Sequence, residues 1–120
     1  MISIKKETAL IAINLGVKIG SIYEAKNEKG ICHFIEHMLF KGTKNRTNKV
    51  LNDELEQLGG EYNAYTEYSS TVYNITSLKE EAESAIELLS DMVINSNFPK
   101  AEMEKEREVI LSELRSSRDD

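Results

Sequence analysis

At 120 residues, 40% of them hydrophobic and 30% charged, the chain has the composition of one globular domain, or part of one, and not of a disordered segment. Its formal net charge is −6, with 7 acidic residues in positions 1–60 and 14 in 61–120, and it has no basic stripe, so nucleic acid is excluded as an expected partner. No apolar run approaches membrane-spanning length, and the single cysteine, Cys32, excludes an internal disulfide.

Met1 to Lys6 shows neither the apolar core of a signal peptide nor an Arg- and Ser-rich transit segment. The expectation is a cytoplasmic protein that makes no membrane contact. The first element is a strand. Ile11, Ile13, Leu15, Val17 and Ile19 alternate with Ala12, Asn14, Gly16 and Lys18, the period of a half-buried strand, and Gly20-Ser21 marks its end. Gly30 to Phe40 reads as a helix with apolar residues all round its axis, hence buried, and Gly42 is placed to stop it. Asn48 to Leu58 predicts a second helix, capped by Asn48 and stopped by Gly59-Gly60.

Glu61 to Ser77 is rich in Tyr, Thr and Val and predicts a hairpin turning around Glu67 to Ser69. Lys79 to Asn95 places Ala82, Ala85, Ile86, Leu89, Met92 and Val93 at helical spacing. Pro99 opens a last helix, running to about Arg115. With no repeat and no Pro/Gly-rich linker, residues 1–120 read as a single unit of α+β class, an antiparallel-rich sheet packed against helices.

The helix at 30–40 carries the chemistry. Its surroundings are apolar, yet it holds His33, Glu36 and His37, and these two are the only histidines in the chain. Buried polar groups without partners cost a few kcal/mol each, so something must satisfy them. His33 and His37 lie one turn apart, about 6 Å along the axis, and project from one face. That suits two ligands of one tetrahedral zinc. Glu36 stands beside the same face, where a carboxylate can take a proton from zinc-bound water. The competing reading is a pair of core histidines bonded to neighbours, for which an apolar helix offers few partners. Cys32 diverges from His33 by about 100° and reads as a small core residue.

Catalytic zinc usually has three protein ligands, and with no further His or Cys the third must be Asp or Glu. On the last helix, Met103, Ile110 and Leu114 define the expected buried centre. Glu106 and Glu113 fall inside the same otherwise apolar arc. They are about 10 Å apart along the axis, so one is a ligand and the other a support. Spacing leaves open which, and leaves open that both are acids on a solvated rim.

Three stretches resemble the pitrilysin family of inverzincins, which includes insulin-degrading enzyme and the mitochondrial processing peptidase. They are Gly30-Ile-Cys-His-Phe-Ile-Glu-His-Met-Leu-Phe-Lys-Gly-Thr43, Leu58-Gly-Gly-Glu-Tyr-Asn-Ala-Tyr-Thr66 and Glu106-Arg-Glu-Val-Ile-Leu-Ser-Glu113. The resemblance implies that His33, His37 and Glu113, 76 positions after His37, bind Zn2+, and that Glu36 is the catalytic base. It makes Glu106 the supporting acid on a ligand imidazole. It makes Asn63 and Ala64 part of a strand that pairs with extended substrate.

Family members are longer, built from related α+β domains facing across a chamber. The resemblance therefore implies half of a LuxS/metallopeptidase-like domain that lacks its partner and its own later part. Cys32 stands where the family usually has Ala or Ser. The leading expectation is a zinc metalloendopeptidase acting on extended peptides. The alternative is a non-catalytic fragment that binds peptide or a partner subunit. A third is a fragment that self-associates or is completed by the missing peptidase-like domain.

Overall fold

The computed structural model describes residues 2–3 and 9–119, with side chains described from residue 9 to residue 116. Its architecture is mixed helix and antiparallel sheet, as the sequence predicts. Strands β1 (Ile2–Ser3) and β2 (Leu10–Val17) lead into a long loop and helix α1 (Ile31–Met38). Helix α2 (Asn48–Gln57), the hairpin β3 (Tyr62–Thr66) and β4 (Thr71–Leu78), and helices α3 (Ala82–Ile94) and α4 (Lys100–Asp119) follow. The sheet order is β1-β2-β4-β3, all pairs antiparallel. This leaves β3 at an edge, with no strand on its outer side among the described residues.

The alternation in β2 sends Ile11 and Ile13 into the core, where Tyr73 and Ile75 of β4 share their face. The helices cover that face through Leu51 and Leu55 of α2 and Ala85, Leu88, Leu89 and Met92 of α3. Burying each of the Ile, Leu and Met side chains contributes roughly 1.5–3 kcal/mol. The other face carries Asn14 and Asn74, joined by a side-chain hydrogen bond of 2.6 Å, with Asn63 of β3 in register beside Asn74.

Five expectations are corrected. Helix α1 is not buried all round: Ile31 and Ile35 are exposed, because α1 packs against β3 and α4 and its third side is uncovered by described residues. It ends at Met38, four residues before Gly42. Helix α2 is capped by Thr47, not Asn48; the Thr47 hydroxyl accepts from the Val50 N–H. Helix α4 runs past Arg115, and of its expected centre only Ile110 is buried, Met103 and Leu114 being exposed, since α4 touches the rest through a narrow stripe.

A buried polar cluster joins the segment after α1 to α3. The Asp91 carboxylate accepts from Thr43 Oγ1 (2.7 Å), Asn45 Nδ2 (2.7 Å), Asn95 Nδ2 (2.8 Å) and Arg46 Nη1 (2.7 Å). Burial pushes the Asp91 pKa up, but these four donors outweigh it and hold the carboxyl well below its ordinary value. A group so depressed adds stability above its unfolded pKa, near 4, and that stability is lost as pH falls toward the folded value. Asp91→Ala is therefore expected to lose about 3 kcal/mol in urea unfolding at neutral pH, because Thr43, Asn45 and Asn95 lose their shared acceptor and Arg46 keeps only Glu54 and Glu87. It should also flatten the decline in stability below about pH 4.

Candidate metal centre

Helix α1 lies with one side on β3 and another on α4, so its polar residues meet two elements. His33 Nε2 and His37 Nε2 approach to 3.0 Å, which one helical turn between them permits. Glu113 of α4 brings Oε2 within 3.4 Å of His33 Nε2 and 3.7 Å of His37 Nε2. Of the two acids that spacing left open, Glu113 is thus the one facing Nε2 of both histidines. Among the described residues these three are the group whose donor atoms converge as a metal site requires, all within 4.8 Å of one another.

Glu106 meets the same ring from behind. Its Oε2 lies 2.8 Å from His37 Nδ1, and its Oε1 lies 2.9 Å from Lys41 Nζ. Glu106 is 6% exposed. Burial raises its pKa, but the hydrogen bonds from Lys41 and His37 prevail, and the carboxyl sits below its usual value. An ionised carboxylate only accepts, so Nδ1 of His37 carries a hydrogen, and in the neutral ring Nε2 then holds the lone pair. That lone pair points at the space shared with His33 and Glu113. His33 Nε2 faces it at 3.0 Å, the separation of an N–H donor from a lone pair or of two lone pairs held on one cation. Tetrahedral zinc with bonds near 2.05 Å needs ligand atoms about 3.3 Å apart. The spacings of 3.0, 3.4 and 3.7 Å bracket that value, so the donor set fits the metal.

Glu36 is 8% exposed, and the hydroxyl of Thr66 donates to its Oε2. Among the described residues no cation pairs with it. No local pattern in the sequence singles out Thr66; its contact with Glu36, 30 positions away, depends on α1 lying over the hairpin. Cys32 is buried, and burial followed by the nearby Glu24 pushes its thiol up, which leaves it an inert core group.

Asn63 and Ala64 separate. Glu61 accepts from the Thr76 N–H and the Glu67 N–H donates to Ser70, so odd-numbered β3 residues turn their peptide groups toward β4. Ala64, between them, turns its N–H and C=O to the open edge. Its side is also the α1 side, and it lines a cleft of about 570 Å3 with His33, Glu36, Tyr65 and Thr66. The Asn63 side chain lies on the opposite face of the sheet and does not line that cleft.

The sequence matches the Insulinase (Peptidase family M16) family over residues 1–119. The chain belongs to that family. It is similar to an uncharacterized zinc protease of Rickettsia felis, 46% identical over 109 residues, which are 91% of this chain and 26% of that protein. It is also similar to the mitochondrial-processing peptidase subunit beta of Bos taurus, 42% identical over 106 residues, 88% of this chain and 22% of that one. With the cytochrome b-c1 complex subunit 1 of Bos taurus it shares 40% over 105 residues, 88% of this chain and 22% of that subunit. Among solved structures, a protease from Helicobacter pylori superposes with a TM-score of 0.84 at 30% identity, covering 90% of this chain and 26% of that one. The periplasmic protease PqqL from Escherichia coli gives 0.81 at 35%, covering 89% and 13%. The chain thus spans about a quarter or less of these relatives.

The loop between β2 and α1 closes against the hairpin through Ser21 N–H to Glu67 O (3.4 Å) and Ile22 N–H to Tyr68 O (2.9 Å). Gly20 sits at this contact: a Cβ there would lie 2.4 Å from Glu67 O and 2.7 Å from Tyr68 O, backbone atoms that cannot swing away. Gly20→Ala is expected to push the loop off the hairpin and weaken that contact locally by roughly 1–3 kcal/mol. Hydrogen exchange is the check, with faster exchange at Ile22 and unchanged exchange in α3.

Proposed function

We propose that this chain is the zinc-binding part of a metalloendopeptidase that hydrolyses extended peptides. The observation that carries the proposal is the convergence of His33, His37 and Glu113 beside a buried Glu36 that no described cation neutralises. Membership of the Insulinase family, and likeness to a protein named as a zinc protease, support the same reading.

His33 and His37, through Nε2, and Glu113, through a carboxylate oxygen, are the groups that would hold the zinc. Zinc bound there supplies Lewis acidity that polarises a peptide carbonyl and acidifies water. Glu36 is the base and acid: its carboxylate takes a proton from the attacking water and returns it to the leaving amine. The Thr66 hydroxyl orients Glu36. Glu106 fixes the plane and tautomer of His37. The outward N–H and C=O of Ala64 offer an extended peptide the main-chain partners of an added strand. Further substrate-holding groups come from parts of a longer protein, a second peptidase-like domain or a second copy, since the relatives are about four times the length of the matched segment.

The test combines metal content with turnover. Wild-type chain purified without chelator is expected to hold about one zinc, and Glu113→Gln to lose most of it, by elemental analysis. Glu36→Gln should keep the zinc and lose at least about 100-fold in cleavage of a quenched extended peptide. Cleavage that survives Glu36→Gln would refute the role given to Glu36. The likeness to the cytochrome b-c1 complex subunit 1, named for a complex rather than for a peptidase, favours a second reading. In that reading the chain binds peptide or a partner subunit without cutting, and wild type and Glu36→Gln bind one peptide equally with no turnover in either.

A further inference from the structure

The N-terminal end of α1 is held by a residue outside the helix. Gly30, at the N-cap position, has no side chain with which to satisfy the first turn. The Glu24 carboxylate does so from the loop. Its Oε1 accepts from the Gly30 N–H (3.0 Å) and its Oε2 from the Cys32 N–H (2.9 Å). One acid thus spans the two peptide groups that lead directly to His33. The same loop is fastened to the hairpin through Ser21 and Ile22, close to Thr66. Glu24 is mostly engaged with this backbone and lines the cleft beside His33 and Glu36.

The two imidazoles are placed by different means. The His37 ring is gripped directly, through Nδ1, by Glu106. The His33 ring has no such contact: its described polar partners are His37 and Glu113, the groups on the far side of the metal position. It is also the more exposed of the two rings, 34% against 18%. Its placement therefore depends on its backbone, and that backbone is in the turn that Glu24 pins. We propose that Glu24 is a positioning residue for His33, setting where its Nε2 stands relative to His37 and Glu113 and so the affinity of the site for zinc. This rests on the metal reading given above. It assigns Glu24 no contact with metal or substrate.

A helix cap with no bearing on the site would alter stability alone, so the test separates the two. Zinc affinity is measured by chelator competition, and thermal unfolding of the metal-free chain is followed beside it, for wild type, Glu24→Ala, Glu24→Gln and Thr47→Ala. Thr47 caps α2, away from the site, and controls for loss of a cap. Glu24→Ala is expected to bind zinc at least about 10-fold more weakly, in the range typical of lost supporting groups. Glu24→Gln, which keeps one acceptor oxygen, should fall between it and wild type. Thr47→Ala should unfold earlier with zinc affinity unchanged. Cobalt(II) in place of zinc adds a second reading: the visible bands of the wild type should shift in Glu24→Ala and stay in Thr47→Ala.

Equal zinc affinity in folded Glu24→Ala and wild type would overturn the proposal and leave Glu24 a cap only. If Glu24→Ala does not fold, Glu24→Gln decides. Weakened binding by the folded Gln variant supports the positioning role, and wild-type binding by it overturns that role. A wild-type chain that binds no zinc at all would instead overturn the metal reading itself.

Discussion

The structure turns on a carboxylate that is buried and charged. Glu106 is taken out of water on a helix that otherwise touches the rest of the fold lightly, and it keeps its charge because Lys41 and His37 both donate to it. Such a pair is costly to build and costlier to break from one side. Its effect here is directional. It fixes the side of α4 that faces α1, it fixes which His37 nitrogen carries a hydrogen, and it aims the other nitrogen at the point where His33 and Glu113 arrive. The seven-residue interval from Glu106 to Glu113 then matters as geometry, since about 10 Å of helix carries one acid to the Nδ1 side of the His37 ring and the other to its Nε2 side.

The remaining polar groups of α1 are satisfied from other parts of the chain. Thr66 of the edge strand donates to Glu36, and Glu24 of the preceding loop accepts from the first turn. The segment leaving α1 is held by Asp91 on α3 through Thr43, Asn45 and Arg46. So a helix of eight residues, too short to be stable alone, is fixed at both ends and on two sides. Precision of this kind is what a metal site asks of its scaffold, since ligand atoms displaced by a few tenths of an ångström no longer share one ion.

Much of this could be read from the residues in order. The alternation of Ile11, Ile13, Leu15 and Val17 marked β2, and the Tyr- and Thr-rich run marked the hairpin, because a period of two is a local property of extended backbone. His33 and His37 were seen to share a face because helical spacing is equally local. The family resemblance then assigned roles to Glu106 and Glu113 that helical phase had left open. Where local reasoning failed, the cause was packing. Ile31 and Ile35 look like core residues by type and are exposed; Met103 and Leu114 look like a helix centre and are exposed too. Apolar type states a preference for burial, and only the neighbouring elements decide whether it is met.

The sequence by itself determined which groups could meet a metal, since that follows from spacing and side-chain chemistry along a few residues; that β3 is an edge follows from the sheet order. The tertiary structure alone decided which nitrogen of His37 each acid faces, that Thr66 reaches Glu36 across 30 positions, and that Glu24 secures the turn before His33. It also decided that the peptide of Ala64, and not the side chain of Asn63, lies on the side of α1. These are contacts between elements remote in sequence. They are set by how a strand twists, where a loop closes and which stripe of a helix finds a partner, none of which is written in the period of any one segment.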